Sequence, residues 1–198
     1  MPSRRCPLSP LPDRDCEADE VYQNAGEKGT LHADPDDPPR RRANKKRGHG
    51  TYANDRPPVA GIVGRESGQI RLKVIGNSTR ANLEPFVLGM TIPGTRMNTD
   101  EWGSYNHLAE NERPHSTVSH GAREWARDDD GDGINEVHCN TMEGIWTGLR
   151  NYLRIFRGVR KDRLYLYVAV FQWSHNLKTA TSDFLRALLG VPTTTQRA

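Results

Sequence analysis

The stretch that decides the fold is His138-Cys139-Asn140-Thr141-Met142-Glu143-Gly144-Ile145-Trp146-Thr147-Gly148-Leu149-Arg150. Its apolar residues recur every three or four positions, and the pattern continues for one more turn. This period predicts an amphipathic helix with one face packed on a core. The apolar face consists of Met142, Ile145, Trp146, Leu149, Leu153 and Phe156.

A polar stripe runs along the same predicted helix, beside the apolar one. At about 100° per residue, Glu143, Thr147, Arg150 and Arg154 fall on it together. A carboxylate and two guanidiniums side by side could hold a metal ion and a phosphate backbone. A solvated face with spaced salt bridges would show the same pattern, so the helix alone leaves both interpretations open.

Composition indicates one folded domain with less packed extensions. The chain has 198 residues, of which only 34% are hydrophobic, so the packed part is expected to be shorter than the chain. The net charge of +3 is mild, but basic residues cluster at residues 40–47 and 150–163. Such clusters favour a polyanionic partner.

Cysteine usage and hydropathy indicate a soluble cytoplasmic protein. Cys6, Cys16 and Cys139 form no CxxC pair and leave one cysteine over, which is typical of a reducing compartment. The longest apolar run, residues 164–171, is too short to span a membrane. The N-terminus lacks the apolar centre of a signal peptide.

The pattern along the chain predicts alternating strands and helices. Residues 1–15 are expected to be a disordered lead-in and residues 27–58 a flexible basic insertion. The predicted elements are a strand at 16–22, a hairpin at 59–64 and 69–75, a helix at 80–90, a strand at 96–100, a helix beginning at 101, a strand at 115–120, a polar loop at 121–137 and a short helix at 183–189 before a tail. Residues 164–173 are apolar on every side, so the pattern does not separate a helix from a strand there.

Three other site hypotheses fail on residue type or spacing. Residues 128–133 resemble a calcium loop, but position twelve is Cys139 instead of the glutamate that an EF-hand requires. His115, His120, His138 and Cys139 lack the paired spacing of a structural zinc site. Nothing in the sequence activates Cys139 as a nucleophile.

Three acids on separate elements remain: Asp19 inside the first strand, Asp100 at the end of the 96–100 strand, and Glu143 on the late helix. In a ribonuclease-H-like α/β fold, a mixed sheet of about five strands flanked by helices, these two strands are neighbours. A helix packed across the sheet could bring Glu143 beside them. Three converging carboxylates can hold two Mg²⁺ ions for attack at phosphorus.

Three segments carry a resemblance to a known family: Ala18-Asp19-Glu20-Val21-Tyr22, Thr99-Asp100-Glu101-Trp102-Gly103-Ser104-Tyr105 and His138-Cys139-Asn140-Thr141-Met142-Glu143-Gly144-Ile145-Trp146. Together they resemble the DDE transposases of the ISXO-like group, insertion-sequence family fifteen-ninety-five, over residues 16–176. The resemblance implies Mg²⁺-dependent DNA cleavage and strand transfer, with Mn²⁺ as a substitute, by a homo-oligomer assembled on DNA in the nucleoid. It also favours a helix at residues 164–173.

The resemblance also implies roles for individual residues. Asp19, Asp100 and Glu143 would be the catalytic, metal-binding triad, with Asn140 as the alternative third catalytic residue. Arg150 would contact DNA near the cut, and Arg154, Arg157 and Lys161 would extend the DNA-binding surface. The catalytic domain would cover residues 16–177, and residues 178–198 would form a C-terminal short helix and tail.

The chain departs from the family in ways that leave other functions open. Relatives carry a DNA-reading segment before the first catalytic strand, whereas 18 residues precede Asp19 here, which suggests an N-terminally truncated copy. The alternatives are a catalytically inactive DNA-binding remnant and a nuclease of the same fold.

Overall fold

One interior strand of the sheet carries no charged side chain, and that composition explains its burial. Pro58–Gly64 is buried along its whole length, as expected of a strand covered on both faces. In the computed structural model, which describes residues 9–29, 31, 33–36, 48–122, 124–177, 185 and 189, this strand pairs antiparallel with both of its neighbours.

Within those residues the predicted strands and the helices at 80–90, 140–154 and 164–176 follow one another in the expected order. The elements are β1 (Asp15–Tyr22), β2 (Pro58–Gly64), β3 (Ile70–Val74), α1 (Arg80–Met90), β4 (Arg96–Asp100), β5 (His115–Val118), β6 (Ala126–Arg127), β7 (Val137–His138), α2 (Asn140–Arg154) and α3 (Leu164–Asn176). The segment 121–137, predicted as a loop, contains the short strand β6 and the start of β7, because residues 126–127 pair with 137–138. The main sheet has the order β3-β2-β1-β4-β5, and β6 pairs with β7 separately. Because β1, β4 and β5 are parallel whereas β1, β2 and β3 are antiparallel, the topology is ribonuclease-H-like. The predicted α/β mixed sheet flanked by helices is confirmed.

Side chains alternate between the two faces of the sheet, so the strands contribute to two separate cores. One core joins Ala60 and Ile62 of β2 to α1 and to Tyr105. The other joins Val59 and Val63 of the same strand to α2 and α3. The faces of the sheet are therefore covered by different helices, and α2 is the helix that crosses the acid-bearing strand β1.

Residues 164–173, which the pattern left open, form a helix that extends to Asn176. Aromatic rings pack it against α2 and the turn that follows: the centroids of Tyr152 and Phe171 are 5.7 Å apart, and those of Phe156, just after α2, and Tyr167 are 4.7 Å apart. Its polar residues cover the edge of the sheet. Gln172 Oε1 accepts the Leu72 amide at 2.5 Å, and Asn176 Oδ1 accepts the Ile70 amide at 2.8 Å, so side-chain amides replace the missing strand beside β3.

Two sequence predictions were wrong in detail. The segment after Asp100 forms a 3₁₀ turn at Gly103–Tyr105 instead of a helix. The reason is that the Trp102 indole and the Ser104 hydroxyl both bond to the Ser78 carbonyl, which ties this segment to the start of α1. The fifth strand ends at Val118 and not at residue 120, because the Ser119 amide donates to the Glu124 carboxylate.

Part of the predicted lead-in is packed against the sheet. Leu11 is fully buried, and its amide donates to the Met90 carbonyl. Residues 1–8, the basic run at 40–47 and residues 178–198 apart from Leu185 and Leu189 lie outside the described residues. The predicted C-terminal short helix belongs to that last segment. No helix in the described ranges has the length and hydropathy needed to cross a membrane.

Candidate active site

Asp19 and Asp100 lie on one face of the sheet, on the neighbouring parallel strands β1 and β4. The register of β1 and β4 pairs Cys16 with Met97 and Glu17 with Asn98. Continued by two residues, it sets Asp100 level with Asp19 and on the same face of the sheet. The predicted neighbourhood of the two aspartates therefore follows directly from strand pairing.

Glu143 lies in the first turn of α2, which packs over that face of β1. Its side chain is exposed, and its charge acts on Asp19. Burial raises the pKa of the Asp19 carboxyl to about 6, and the charges of Asp100 and Glu143 raise it as well. The three acids thus share one electrostatic environment.

The carboxylate of Asp19 is held by two donors. The Trp146 indole donates to Oδ2 at 2.7 Å, and the Glu20 amide donates to Oδ1 at 2.7 Å. The indole can come this close because Gly61 of β2 lies opposite Asp19 in the register. A Cβ at Gly61 would be 2.5 Å from Trp146 Cη2, so any larger residue would push α2 away from the sheet.

The carboxylate of Asp100 is oriented by the turn that follows it. The Trp102 amide donates to Asp100 Oδ1 at 3.0 Å. The turn is in turn anchored, since the Trp102 ring stacks on His49 with centroids 4.3 Å apart. His49 belongs to the C-terminal part of the predicted insertion, so that part of the segment contacts the site.

The three carboxylates do not form a tight cluster of oxygens. Among the residues the structure describes, the acids whose ligand oxygens all lie within 4.8 Å of one another are Asp128, Asp130 and Glu136, and not Asp19, Asp100 and Glu143. Asp19 and Asp100 are each turned toward their own donors, and like charges repel. The three acids therefore lie on the same side of the sheet, but their carboxylate oxygens are not within 4.8 Å of one another.

The acidic loop at 128–136 is organised by its own backbone. Asp128 accepts the Gly131 amide at 2.6 Å and the Gly133 amide at 2.9 Å, and Glu136 accepts the Asp129 amide at 2.7 Å. The backbone amides lower the pKa of Asp128. These bonds account for the clustering, as expected of an acidic turn on the surface.

The side chains considered for zinc are engaged elsewhere. His115 Nε2 contacts the Thr99 hydroxyl at 2.8 Å, and His138 Nδ1 lies 3.2 Å from the Glu17 carboxylate. Burial raises the pKa of the Cys139 thiol, which makes it a poor nucleophile. The side chain of His120 lies outside what the structure describes.

The predicted DNA-binding residues differ in their surroundings. Arg150, Arg154 and Arg157 are exposed at α2 and just beyond it. Lys161 is 27% exposed in its side chain and pairs with the Asp55 carboxylate at 2.9 Å. Asn140, the alternative third catalytic residue, is exposed at the first position of α2, in the same turn as Glu143.

Sequence reasoning missed a fourth acid beside the site. Glu20 points to the opposite face of β1, where Tyr105 donates to Oε2 at 2.8 Å and Tyr22 to Oε1 at 3.3 Å. Burial raises the pKa of Glu20 to about 7, and the charges of Asp19 and Asp100 add to that effect. The available signal was the pair of adjacent acids Asp19 and Glu20 inside a predicted strand, where acids are unfavourable.

The fold is thus a ribonuclease-H-like mixed sheet, with acids on two neighbouring parallel strands and on the helix packed against them. The chain belongs to the ISXO2-like transposase domain family, whose model matches residues 15–176. This confirms the resemblance read from the sequence.

A curated relative is an uncharacterized protein in the transposable element ISH50 of Halobacterium salinarum. It is 32% identical over 157 residues, which cover 79% of this chain and 50% of that protein. The chain therefore spans about half the length of this relative.

Solved structures with a similar chain trace include two retroviral integrase catalytic cores. The HTLV-2 core in complex with magnesium is 14% identical, with a TM-score of 0.45 over 88% of this chain and 92% of that one. The BIV core is 11% identical, with a TM-score of 0.47 over 90% of this chain and 97% of that one.

Proposed function

We propose that this chain is a DDE-type polynucleotidyl transferase that cleaves DNA at the ends of an insertion sequence and joins the freed 3′-hydroxyl to target DNA. The observation that supports the proposal is that Asp19 and Asp100 lie on paired parallel strands and Glu143 lies on the helix packed against β1, in a chain of a transposase family. Exposed Arg150 and Arg154 follow on the same helix as Glu143.

The donor set fits divalent magnesium. All three side chains offer carboxylate oxygens, which Mg²⁺ prefers, and partly exposed groups leave room for retained water. Burial raises the pKa of Asp19, and the charges of Asp100 and Glu143 raise it further, so a bound cation would favour its ionised form. When bound, a pair of Mg²⁺ ions, or Mn²⁺ in their place, supplies the charge that activates an attacking water or 3′-hydroxyl and offsets charge on the leaving oxygen.

In this proposal, other residues of the chain orient the metal ligands and bind the DNA backbone. Trp146 and the Glu20 amide orient the Asp19 carboxylate. Arg150, Arg154, Arg157 and Lys161 would hold phosphates without reading sequence. Glu143 is the third acid in this proposal, because a carboxylate binds Mg²⁺ better than the amide of Asn140.

The protein would act on DNA in the nucleoid, as a homo-oligomer that brings two element ends together.

The proposed function is tested by incubating the full chain with an oligonucleotide bearing the element end, a supercoiled plasmid and Mg²⁺. The expected result is plasmid joined to the oligonucleotide. Binding without nicking would favour the inactive remnant, and nicking without joining would favour the nuclease.

The variant Asp100→Asn tests the role of Asp100 in the same assay. It removes a metal ligand and keeps the phosphate contacts, so we expect cleavage to fall by at least about a thousandfold, consistent with loss of metal-ion catalysis worth several kcal/mol. DNA affinity, measured by fluorescence anisotropy, should change little. Cleavage at the parental rate would contradict the assignment of Asp100.

A further inference from the structure

Strand β1 carries another acid, Glu17, whose side chain is fully buried. Glu17 is two residues before Asp19 and has 0% exposure. A buried carboxylate is costly unless charge and hydrogen bonds compensate it. Its partners therefore show what it is there to hold.

The partners of Glu17 come from two separate parts of the chain. Arg65, in the turn after β2, donates through Nε to Oε1 at 3.0 Å. Residues 138–142 supply the others: the Thr141 hydroxyl donates to Oε1 at 2.8 Å, the Met142 amide donates to Oε2 at 3.0 Å, and His138 Nδ1 lies 3.2 Å from Oε1. Met142 directly precedes Glu143 in the first turn of the helix.

The start of α2 depends on this contact, because the helix lacks a cap of its own. Its N-cap residue is Cys139, which makes no side-chain cap bond, although the first amides of a helix need acceptors. Glu17 supplies a charged acceptor at the end of the helix dipole that favours anions. Arg65 adds a second tie, since its terminal nitrogens donate to the carbonyls of Glu136 and His138.

Among the residues that the structure describes, no hydrogen bond or ion pair holds the Glu143 carboxylate as Glu17 is held. The side chain of Glu143 is exposed, so its location follows that of the first turn of α2. Asp19 is held differently, by Trp146 in the next turn. Loss of the Glu17 contacts should therefore loosen the Glu143 side of the site and leave the Asp19 side in place.

We propose that Glu17, together with Arg65, is a positioning residue that sets the place of Glu143 relative to Asp19 and thereby the affinity of the site for divalent ions. This inference rests on the proposed function. Glu17 itself touches neither metal nor DNA in this role, because it is enclosed by the sheet and the helix.

The test measures Mn²⁺ binding to the full chain by calorimetry, without DNA, at a temperature where circular dichroism shows the fold intact. Glu17→Gln puts an amide N–H among donors and removes the charge opposite Arg65. We expect the dissociation constant for Mn²⁺ to rise about 10- to 100-fold, the usual range for partners that orient ligands. Hydrogen exchange at the Glu143 amide should accelerate, while the Leu149 amide should keep its rate.

Two variants serve as controls. Glu84→Gln removes a carboxylate that pairs with Arg80 at 2.9 Å on α1, and it should leave Mn²⁺ binding unchanged. Asp100→Asn defines the share of Mn²⁺ bound at the triad and separates it from ions held by the exposed acidic loop. If Glu17→Gln does not fold, Thr141→Val removes one donor without stranding a charge, and faster exchange at Glu143 is expected there too.

The outcomes separate the two proposals. If Asp100→Asn loses Mn²⁺ while the Glu17 and Thr141 variants match the parent in affinity and exchange, the positioning role is wrong and the proposed function stands. If neither Asp100→Asn nor Glu143→Gln changes Mn²⁺ binding, the ions are not at the triad and the proposed function fails. Lower thermal stability of Glu17→Gln with parental Mn²⁺ affinity would show a purely structural role and also overturn the inference.

Discussion

At the scale of single residues, the ionisation of Asp19 depends on the groups around its carboxylate. Burial and two neighbouring acids raise its pKa, whereas the hydrogen bonds from Trp146 and the Glu20 amide lower it. The ordinary apolar role of Trp146 on the helix face is thus combined with a polar one. A tryptophan meets both needs because its ring packs while its N–H still bonds.

Trp146→Phe separates these two roles. It keeps most of the packing and removes the donor, so the pKa of Asp19 should rise and the acid limb of the pH–rate profile should move to higher pH. Cleavage at pH 7 should fall while DNA affinity is kept. Trp173→Phe on α3 is the control, and a profile for Trp146→Phe that coincides with it would contradict the role.

The raised pKa of Asp19 also predicts how stability changes with pH. Between its ordinary value of 3.8 and about 6, the folded state holds a proton that the unfolded chain has released, so stability from this group is lost as pH rises. The Asp19→Asn variant has no carboxyl at this position, so its stability does not fall with pH for this reason. The stability of the variant relative to the parent should therefore increase from about pH 4 to about pH 6 and then level off.

Urea unfolding with EDTA at constant ionic strength measures this difference. Adding Mg²⁺ at pH 7.5 should stabilise the parent more than Asp19→Asn, because the ion offsets the charge that burial disfavours. A difference that stays constant with pH would show that the carboxyl titrates as an ordinary aspartate.

At the scale of elements, α3 does more than cover the sheet. Gln172 and Asn176 are four residues apart and meet alternate residues of β3, since one helical turn nearly matches two strand residues. The polar positions on an otherwise apolar helix are therefore explained by the edge they protect. The aromatic contacts with α2 keep α3 in register with that edge.

The double variant Gln172→Leu with Asn176→Leu tests this edge. Each substitution keeps the side-chain volume and leaves a backbone amide of β3 without its acceptor, which is expected to cost about 1–3 kcal/mol per site. Urea unfolding gives the loss of stability. Ser174→Ala, on an exposed position of the same helix, is the control, and equal stabilities for the two proteins would refute the edge role.

At the scale of the whole molecule, the acids and the basic residues occupy adjacent surfaces. Glu143 and Arg150 both lie on α2 and both are exposed. DNA bound along the arginines of α2 would therefore pass the face of β1 and β4 that carries Asp19 and Asp100. Lys161 already pairs with Asp55, so its replacement is also expected to reduce stability.

Arg150→Ala tests the path of the DNA. The loss of one phosphate contact should reduce the slope of log affinity against log salt by about 0.9, with similar weakening for all sequences. Anisotropy titrations from low to physiological salt measure the slope. Arg80→Ala on α1, across the sheet, should leave the slope unchanged, and a parental slope for Arg150→Ala would exclude the contact.

The sequence by itself determined the parts of this protein that repeat with a short period. The apolar faces of β2 and α2 and the bounds of α1 and β4 could all be read from local spacing. Local spacing suffices there because each strand or helix imposes its own period on the side chains.

Only the tertiary structure decided the contacts that organise the site. Nothing in the local sequence distinguishes Glu17, yet it bonds to Arg65 and to Met142, 48 and 125 positions away. Gly61 acquires its importance from the indole packed against it, and residues 101–108 form turns because Ser78 captures their side chains. No local period encodes such pairings, since they depend on which surfaces meet when the sheet and helices pack.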